Sequence, residues 1–183
     1  MGQLDLFSPL FILSGDREIG KTTFLKRLLQ EPALQGQDIA GVVSPAVFRG
    51  QQKVGIDLLD PRTRVQKRLA DLRSTLETAS VTQHWNFLPE TMDWGNQLLA
   101  AAVPCDLLIV DELGPLELEM GQGWQQGISA VSSGRYRLCL LVIRPSLLEA
   151  ALSLWPTGEV CLCQSKNDPQ WGKIYDRILS ILN

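Results

Sequence analysis

The sequence predicts an α/β domain with a parallel core and an antiparallel hairpin-like insertion at about residues 46–88, and three observations carry that prediction. Strand-like and helix-like segments alternate through most of the chain. Asp106 to Val110 is a nearly continuous apolar run, as expected for a parallel strand covered on both faces. The stretch G-D-R-E-I-G-K-T-T, Gly15 to Thr23, follows the apolar run Leu10 to Leu13 and opens an amphipathic one. Strand, glycine-bounded loop, then helix is the order a phosphate-binding P-loop requires.

Each element has a local reason. The first strand, near Leu10 to Leu13, leads to a helix from about Lys21 to Gln30 that Pro32 and Gly36 stop. Ile39 to Ser44 is β-rich and ends at Pro45. Val54 to Leu59 and Thr63 to Leu69 read as two strands joined by the turn Asp60-Pro61-Arg62. Pro89-Glu90 opens a helix carrying Met92, Leu98, Leu99 and Ala102, which Pro104 ends. After the strand Asp106 to Val110, a loop to about Gly121 precedes a helix around Trp124 to Val131 and a strand Leu138 to Ile143. Pro145 suits the first turn of a helix Ser146 to Leu154; Val160 to Cys163 is the last strand and Trp171 to Leu182 the closing helix. The whole chain, 1–183, reads as one domain without repeats or linkers.

The P-loop has a chemical logic. Successive backbone N–H groups must point at a phosphate, so glycine belongs where a side chain would block the approach or where φ is positive; Gly15 and Gly20 fill those places. Lys21 reaches the outer phosphates as a point charge, the Thr22 hydroxyl ligates Mg²⁺, and the helix adds its positive dipole end. The candidate nucleotide-binding set is Gly15, Asp16, Arg17, Glu18, Ile19, Gly20, Lys21, Thr22 and Thr23. Asp16 and Glu18 place carboxylates beside a polyanion, which outward-pointing side chains or Arg17 must offset.

Hydrolysis also needs oriented water and a managed metal. The run D-L-L-I-V-D-E-L-G-P-L-E-L, from Asp106 to Leu118, brings a buried strand to Asp111-Glu112, at the carboxyl edge where open α/β sheets gather ligands. Asp111 is expected to hold magnesium and Glu112 to polarise the attacking water. Glu117 and Glu119 fit either carboxylates supporting that pair or solvated charges at a helix start.

The P-loop with its second Thr, the segment G-V-V-S-P-A-V-F-R-G-Q-Q-K-V-G-I-D-L-L-D (Gly41 to Asp60) and V-D-E-L-G-P-L-E-L together resemble the small nucleoside-triphosphatase family related to the human cancer-related nucleoside-triphosphatase. The resemblance covers most of the chain. It implies a RecA-like P-loop fold, a three-layer sandwich, and slow magnesium-dependent hydrolysis of nucleoside triphosphates with broad base tolerance. Lys21, Thr22, Asp111 and Glu112 stand at the matching functional positions. The departure is Glu18, which stands where the family's middle loop glycine is usual.

Composition narrows the partners. With 45% apolar residues the chain can fill a substantial core. A net charge of −3 and a pI near 5.2 give no general attraction to nucleic acid or anionic membrane. No apolar run reaches the roughly 18–20 residues that span a bilayer, and no signal peptide is evident. The four cysteines, Cys105, Cys139, Cys161 and Cys163, lie in or beside apolar segments and read as buried thiols in a cytoplasmic protein.

Other signals are less specific. Arg144, just past a core strand, is the favoured arginine for stabilising a transferring phosphoryl group, with Arg49 and Arg17 after it. Arg62, Arg64, Lys67, Arg68 and Arg73 form the one basic concentration, read as a strand with one solvated face or as a lid or substrate contact. S-K-N-D, Ser165 to Asp168, resembles a guanine-reading motif with its first position altered. His84 reads as a surface or satisfied histidine, and the five tryptophans as core or interface residues.

The reading is therefore a nucleoside-triphosphate phosphohydrolase using ATP or GTP with Mg²⁺. Its catalytic candidates are Lys21, Glu112 and Arg144, and its metal candidates are Thr22 and Asp111. Two alternatives stand beside it: a nucleotide-dependent switch acting with an unidentified protein partner, and a small-molecule kinase.

Overall fold

A computed structural model describes residues 9–72 and 85–183. In chain order the elements are β1 (Leu10–Ser14), α1 (Lys21–Leu28), β2 (Ile39–Val42), β3 (Ala46–Arg49), β4 (Gln52–Leu59), β5 (Gln66–Leu72), β6 (Trp85–Phe87), α2 (Pro89–Ala100), β7 (Cys105–Leu113), α3 (Pro115–Leu118), α4 (Gln125–Ser132), β8 (Tyr136–Ile143), α5 (Leu148–Leu154), β9 (Glu159–Leu162) and α6 (Gln170–Leu182). Two sheets result. One is five-stranded and parallel, in the order β2-β7-β8-β1-β9, and the other is four-stranded and antiparallel, in the order β3-β4-β5-β6.

Alternation along the parallel strands builds two cores. Leu10 and Ile12 of β1, Leu108 and Val110 of β7, and Cys139 and Leu141 of β8 face α2, α4 and α5. Their neighbours Phe11 and Leu13, Leu107 and Ile109, and Leu138 and Leu140 face α1 and α6. That is why these strands read as continuous apolar runs and why the architecture has three layers. In α6, Ile174, Ile178 and Leu182 recur at i, i+4 and i+8 and are fully buried. At roughly 2–3 kcal/mol per buried side chain, packing outweighs the marginal stability of an isolated 13-residue helix. The strand order is the RecA-like one: β8 lies between the P-loop strand β1 and the acidic strand β7.

Four details differ from the sequence reading. The expected hairpin is the middle pair of a four-stranded sheet, because β3 and β6 are too short for periodicity to reveal and form only through pairing with β4 and β5. The strand expected from Thr63 begins at Gln66. Asp60 holds Thr63 in the turn instead, its carboxylate accepting from the Arg62 N–H at 2.9 Å and the Thr63 hydroxyl at 2.6 Å. β7 does not stop at Val110 but continues through Asp111 and Glu112 to Leu113, with a register shift between Val110 and Leu113. The helix after Pro145 starts with a 3₁₀ turn, Pro145–Leu147, and becomes α-helical at Leu148.

Candidate active site

The loop 15–20 joins the carboxyl end of β1 to α1, as its motif requires. Gly15 is buried with φ +149°, and a Cβ there would overlap the carbonyl oxygen of Cys163, just past β9. Gly20 caps α1 with φ +99°. Glu18, at the position where glycine is usual, adopts φ +63°, so this chain places an L-residue in left-handed backbone at a cost of about 1–2 kcal/mol. Asp16, Arg17 and Glu18 are exposed, while Ile19 is buried. Thr23 is exposed on the first turn of α1.

Lys21 turns back over the loop, its ammonium donating to the carbonyls of Gly15 at 2.5 Å and Asp16 at 2.7 Å. Burial pushes its pKa down, while Glu112, Asp111 and Asp16 pull the other way and Arg144 adds to the lowering. The ends of β1, β7 and β8 thus meet in one electrostatic cluster.

Asp111 is 3% exposed. Its carboxylate accepts from the Ser44 N–H at 2.9 Å and lies close enough to the Thr22 hydroxyl for that group to favour its charged form, and the Ser44 hydroxyl donates to its backbone carbonyl at 3.2 Å. Burial nonetheless raises its pKa to about 7, against the lowering effect of those hydrogen bonds. A buried carboxylate whose charge is under-compensated, close to a threonine hydroxyl, is a hard oxygen donor set of the kind Mg²⁺ takes.

Glu112 has φ +79°, left-handed backbone within the β7 irregularity. The kink separates the two carboxylates: Asp111 is buried under Ser44, whereas Glu112 projects outward and forms an ion pair with the Arg144 guanidinium. Arg144 follows β8 directly, as expected, and its carboxylate partner is the Glu112 singled out from the sequence.

The remaining candidates go elsewhere. Arg49 is exposed at the end of β3, opposite Gln52, and Arg17 is exposed on the loop. Glu117 is buried rather than solvated: it accepts from the Gly114 N–H at 2.8 Å and the Trp124 N–H at 3.0 Å, fastening the loop after β7, while Glu119 is exposed. Both carboxylate oxygens of Asp168 are engaged, by the N–H groups of Gln164 at 2.8 Å and Gln170 at 2.9 Å, so it shapes the turn into α6. Those bonds hold its carboxyl below the usual range.

The basic cluster divides between two places: Lys67 and Arg68 lie on β5, with Lys67 exposed as a solvated strand face predicts, while Arg62 and Arg64 precede the strand. Arg62 clasps both oxygens of Asp38 at 2.7 Å and reaches the carbonyls of Ala101 and Ala102. Arg64 donates to the Leu29 carbonyl, Arg68 pairs with Asp57 and Asp71, and Lys67 lies over the Trp94 ring. Arg73 and His84 lie outside the described residues. Burial raises the thiol pKa of Cys105 to about 12 and those of Cys161 and Cys163 to about 11, and among the described residues no cluster of His, Cys, Asp and Glu could hold a metal ion. No helix among the described residues is long and apolar enough to cross a membrane.

Sequence reasoning missed two residues at the site. Ser44 ends a β-rich run before Pro45, and only its approach to β7 gives it a role. Lys53 of β4 interacts electrostatically with Glu112, Glu18, Arg17 and Arg144, although 58 or more residues separate it from the acidic pair and Arg144 in the chain. Both belong to the segment Gly41 to Asp60, but no local pattern marks either as a site residue. Beside the P-loop, a cavity of about 370 Å³ is lined by Gly15, Asp16, Pro145, Leu162, Cys163 and Gln164.

Comparisons with known proteins bear on the family and the fold. The model of a family described as NTPase matches residues 10–163. The nucleoside-triphosphatase THEP1 of Thermococcus kodakarensis is 26% identical, over 93% of this chain and 94% of its own length. The protein of the same name from Methanosarcina barkeri is 25% identical, over 90% and 94%. Among solved structures, a human cancer-related nucleoside triphosphatase superposes with a TM-score of 0.64 at 16% identity, covering 94% of this chain and 97% of its own. THEP1 from Aquifex aeolicus superposes with a TM-score of 0.61 at 16% identity, covering 94% and 98%. With its P-loop, RecA-like sheet and family match over residues 10–163, the chain belongs to the NTPase family.

Proposed function

We propose that this chain, acting as one domain, hydrolyses nucleoside triphosphates to the diphosphate and phosphate, with Mg²⁺, slowly and with broad base tolerance. The observation that carries the proposal is the convergence of Lys21, Thr22, Asp111, Glu112 and Arg144 at the carboxyl edge of one parallel sheet. Backbone N–H groups of residues 15–23 cradle the phosphates, and Lys21 exchanges its loop carbonyls for phosphate oxygens. Thr22 and Asp111 hold the magnesium ion, which supplies charge neutralisation at the phosphates when bound. Glu112 accepts the proton of the attacking water as that oxygen bonds to the terminal phosphorus. The bond from phosphorus to the bridging oxygen breaks, and the diphosphate leaves with the electron pair. Arg144 stabilises the charge on the transferring group.

Two features support slow turnover. Lys21 is engaged by its own loop, and Glu112 and Arg144 must exchange each other for water and phosphate. The engagement of Asp168 by its own turn supports the broad base tolerance of this reading. The buried, weakly acidic thiols suit a reducing, cytoplasmic setting.

The test is phosphate release from magnesium-ATP and magnesium-GTP, with binding measured in parallel. Glu112→Gln should lose about 10²–10⁴-fold in kcat while binding survives, and Lys21→Ala should weaken binding. Tight binding with no turnover in the parent chain overturns the proposal in favour of a switch or an acceptor-dependent kinase.

A further inference from the structure

We propose that Lys53 contacts the terminal phosphate of a bound nucleoside triphosphate, so that the inserted antiparallel sheet supplies part of the site. This rests on the nucleotide reading above and extends it to an element that none of the P-loop or acidic motifs includes.

The geometry starts at Ser44, whose N–H holds Asp111. The chain then leaves the parallel sheet at Pro45, and Val43 bridges to Leu59 while the Asp57 N–H donates to the Pro45 carbonyl at 2.9 Å. Beyond that anchor the ribbon β3–β4 runs outward, pairing Ala46 with Ile56, Val47 with Gly55 and Phe48 with Lys53. The ribbon therefore extends past the carboxyl edge of the parallel sheet, where the P-loop also lies. Lys53 is half-buried while its strand neighbour Gln52 is exposed.

The surroundings of its ammonium come from separate elements. Glu18 and Arg17 belong to the P-loop, Glu112 to the end of β7, and Arg144 to the end of β8. A side chain that senses all four lies within electrostatic reach of the P-loop and of the ends of β7 and β8. The Nζ lies 4.8 Å from the centroid of the Trp85 ring, which supports the cation on its apolar side. Among the described residues no carboxylate forms an ion pair with it. A partly desolvated ammonium, braced by an aromatic ring and within electrostatic reach of the P-loop, is a cation placed to receive an anion; burial lowers its pKa in the absence of one.

A cation aimed at the third phosphate distinguishes triphosphate from diphosphate, which a purely structural lysine does not. The experiment measures the Kd of the magnesium complexes of adenosine 5′-(β,γ-imido)triphosphate and ADP for the parent chain, Lys53→Met and Lys53→Arg. Methionine keeps the stem's packing and removes the charge. Lys53→Met is expected to weaken the triphosphate analogue about 10- to 100-fold, as for a lost hydrogen bond to a charged group, while ADP affinity stays within about twofold. Lys53→Arg should recover most of the difference. Equal shifts for both nucleotides, or no shift for either, overturn the inference. Turnover of the parent is read separately. A parent that shows this affinity split but releases no phosphate refutes the hydrolase reading and upholds the Lys53 contact. A parent that hydrolyses while Lys53→Met matches it in both affinities refutes the contact alone.

Discussion

Replacing Gly15 with alanine should destabilise the chain by about 3–4 kcal/mol, and the reason lies in the strand beside the P-loop. At φ +149° an L-residue is strained by roughly 1–2 kcal/mol. The new Cβ would also overlap the Cys163 carbonyl oxygen and Ile19 Cδ1. The carbonyl cannot retreat cheaply, because the Cys163 N–H donates to the Ser14 carbonyl at 2.9 Å and Ser14 is in register with Leu162. Overpacking of this kind costs about 1–3 kcal/mol more. Gly20 is the internal control: its φ is also positive, but its nearest obstacle is the flexible Lys166 side chain, with Cγ at 3.9 Å. Gly20→Ala should therefore cost only the backbone strain, about 1–2 kcal/mol. Any gain from a stiffer unfolded chain is shared by both substitutions and cancels in the comparison. Urea denaturation of the nucleotide-free chain reads the difference, expected near ~2 kcal/mol at unchanged m. At about 2–4 °C per kcal/mol, Gly15→Ala should melt roughly 6–16 °C below the parent. Equal losses for the two variants, or a loss below about 1 kcal/mol for Gly15→Ala, would refute the argument from the Cys163 contact.

Arg144→Ala should lower kcat by about 10²-fold or more while the melting temperature stays near the parent's, because its ion-pair partner among the described residues is the half-exposed Glu112; an unchanged kcat in single-turnover assays removes Arg144 from the chemistry. Arg62→Ala should cost roughly 1–2 kcal/mol in urea denaturation with no change in KM, since it breaks the clasp on Asp38 and two backbone carbonyls far from the P-loop. The same variant carries a pH signature. The Arg62 hydrogen bond holds the Asp38 carboxyl below its ordinary value, so that contribution is complete above about pH 4 and is lost as pH falls through the depressed folded value. The gap between parent and Arg62→Ala should narrow at low pH to what the bonds to the Ala101 and Ala102 carbonyls leave, and a constant gap would contradict the pairing.

The parts of this molecule that were legible in the sequence are those whose signals are local. Leu10 to Leu13, the glycine-bounded loop and the periodic Ile174, Ile178 and Leu182 each announce an element within one short window. Asp111-Glu112 was legible as a pair, because a strand buried on both faces delivers its last residues to the carboxyl edge. The opposite fates of the two carboxylates were not, because they depend on a kink at Glu112 and on Ser44 reaching across from the end of β2. Asp168 and Glu117 show a different limit: each was readable as a charge near the site, yet backbone N–H groups within a few residues of it in the chain claim it. The basic cluster misled for a related reason. Alternation suggested a strand, which holds for Lys67 and Arg68 on β5, while an Asp60 turn and distant partners fix Arg62 and Arg64.

By itself, then, the sequence determined the layered α/β class, the P-loop and the acidic strand, since backbone propensity, hydrophobic period and glycine placement act over a few residues. Only the tertiary structure decided that the insertion is a four-stranded sheet, that Arg144 holds Glu112, and that Lys53 of β4 comes within electrostatic reach of Glu112 and Arg144. Those facts arise from contacts between segments distant in the chain, where pairing geometry and charge select among arrangements that local sequence leaves equal.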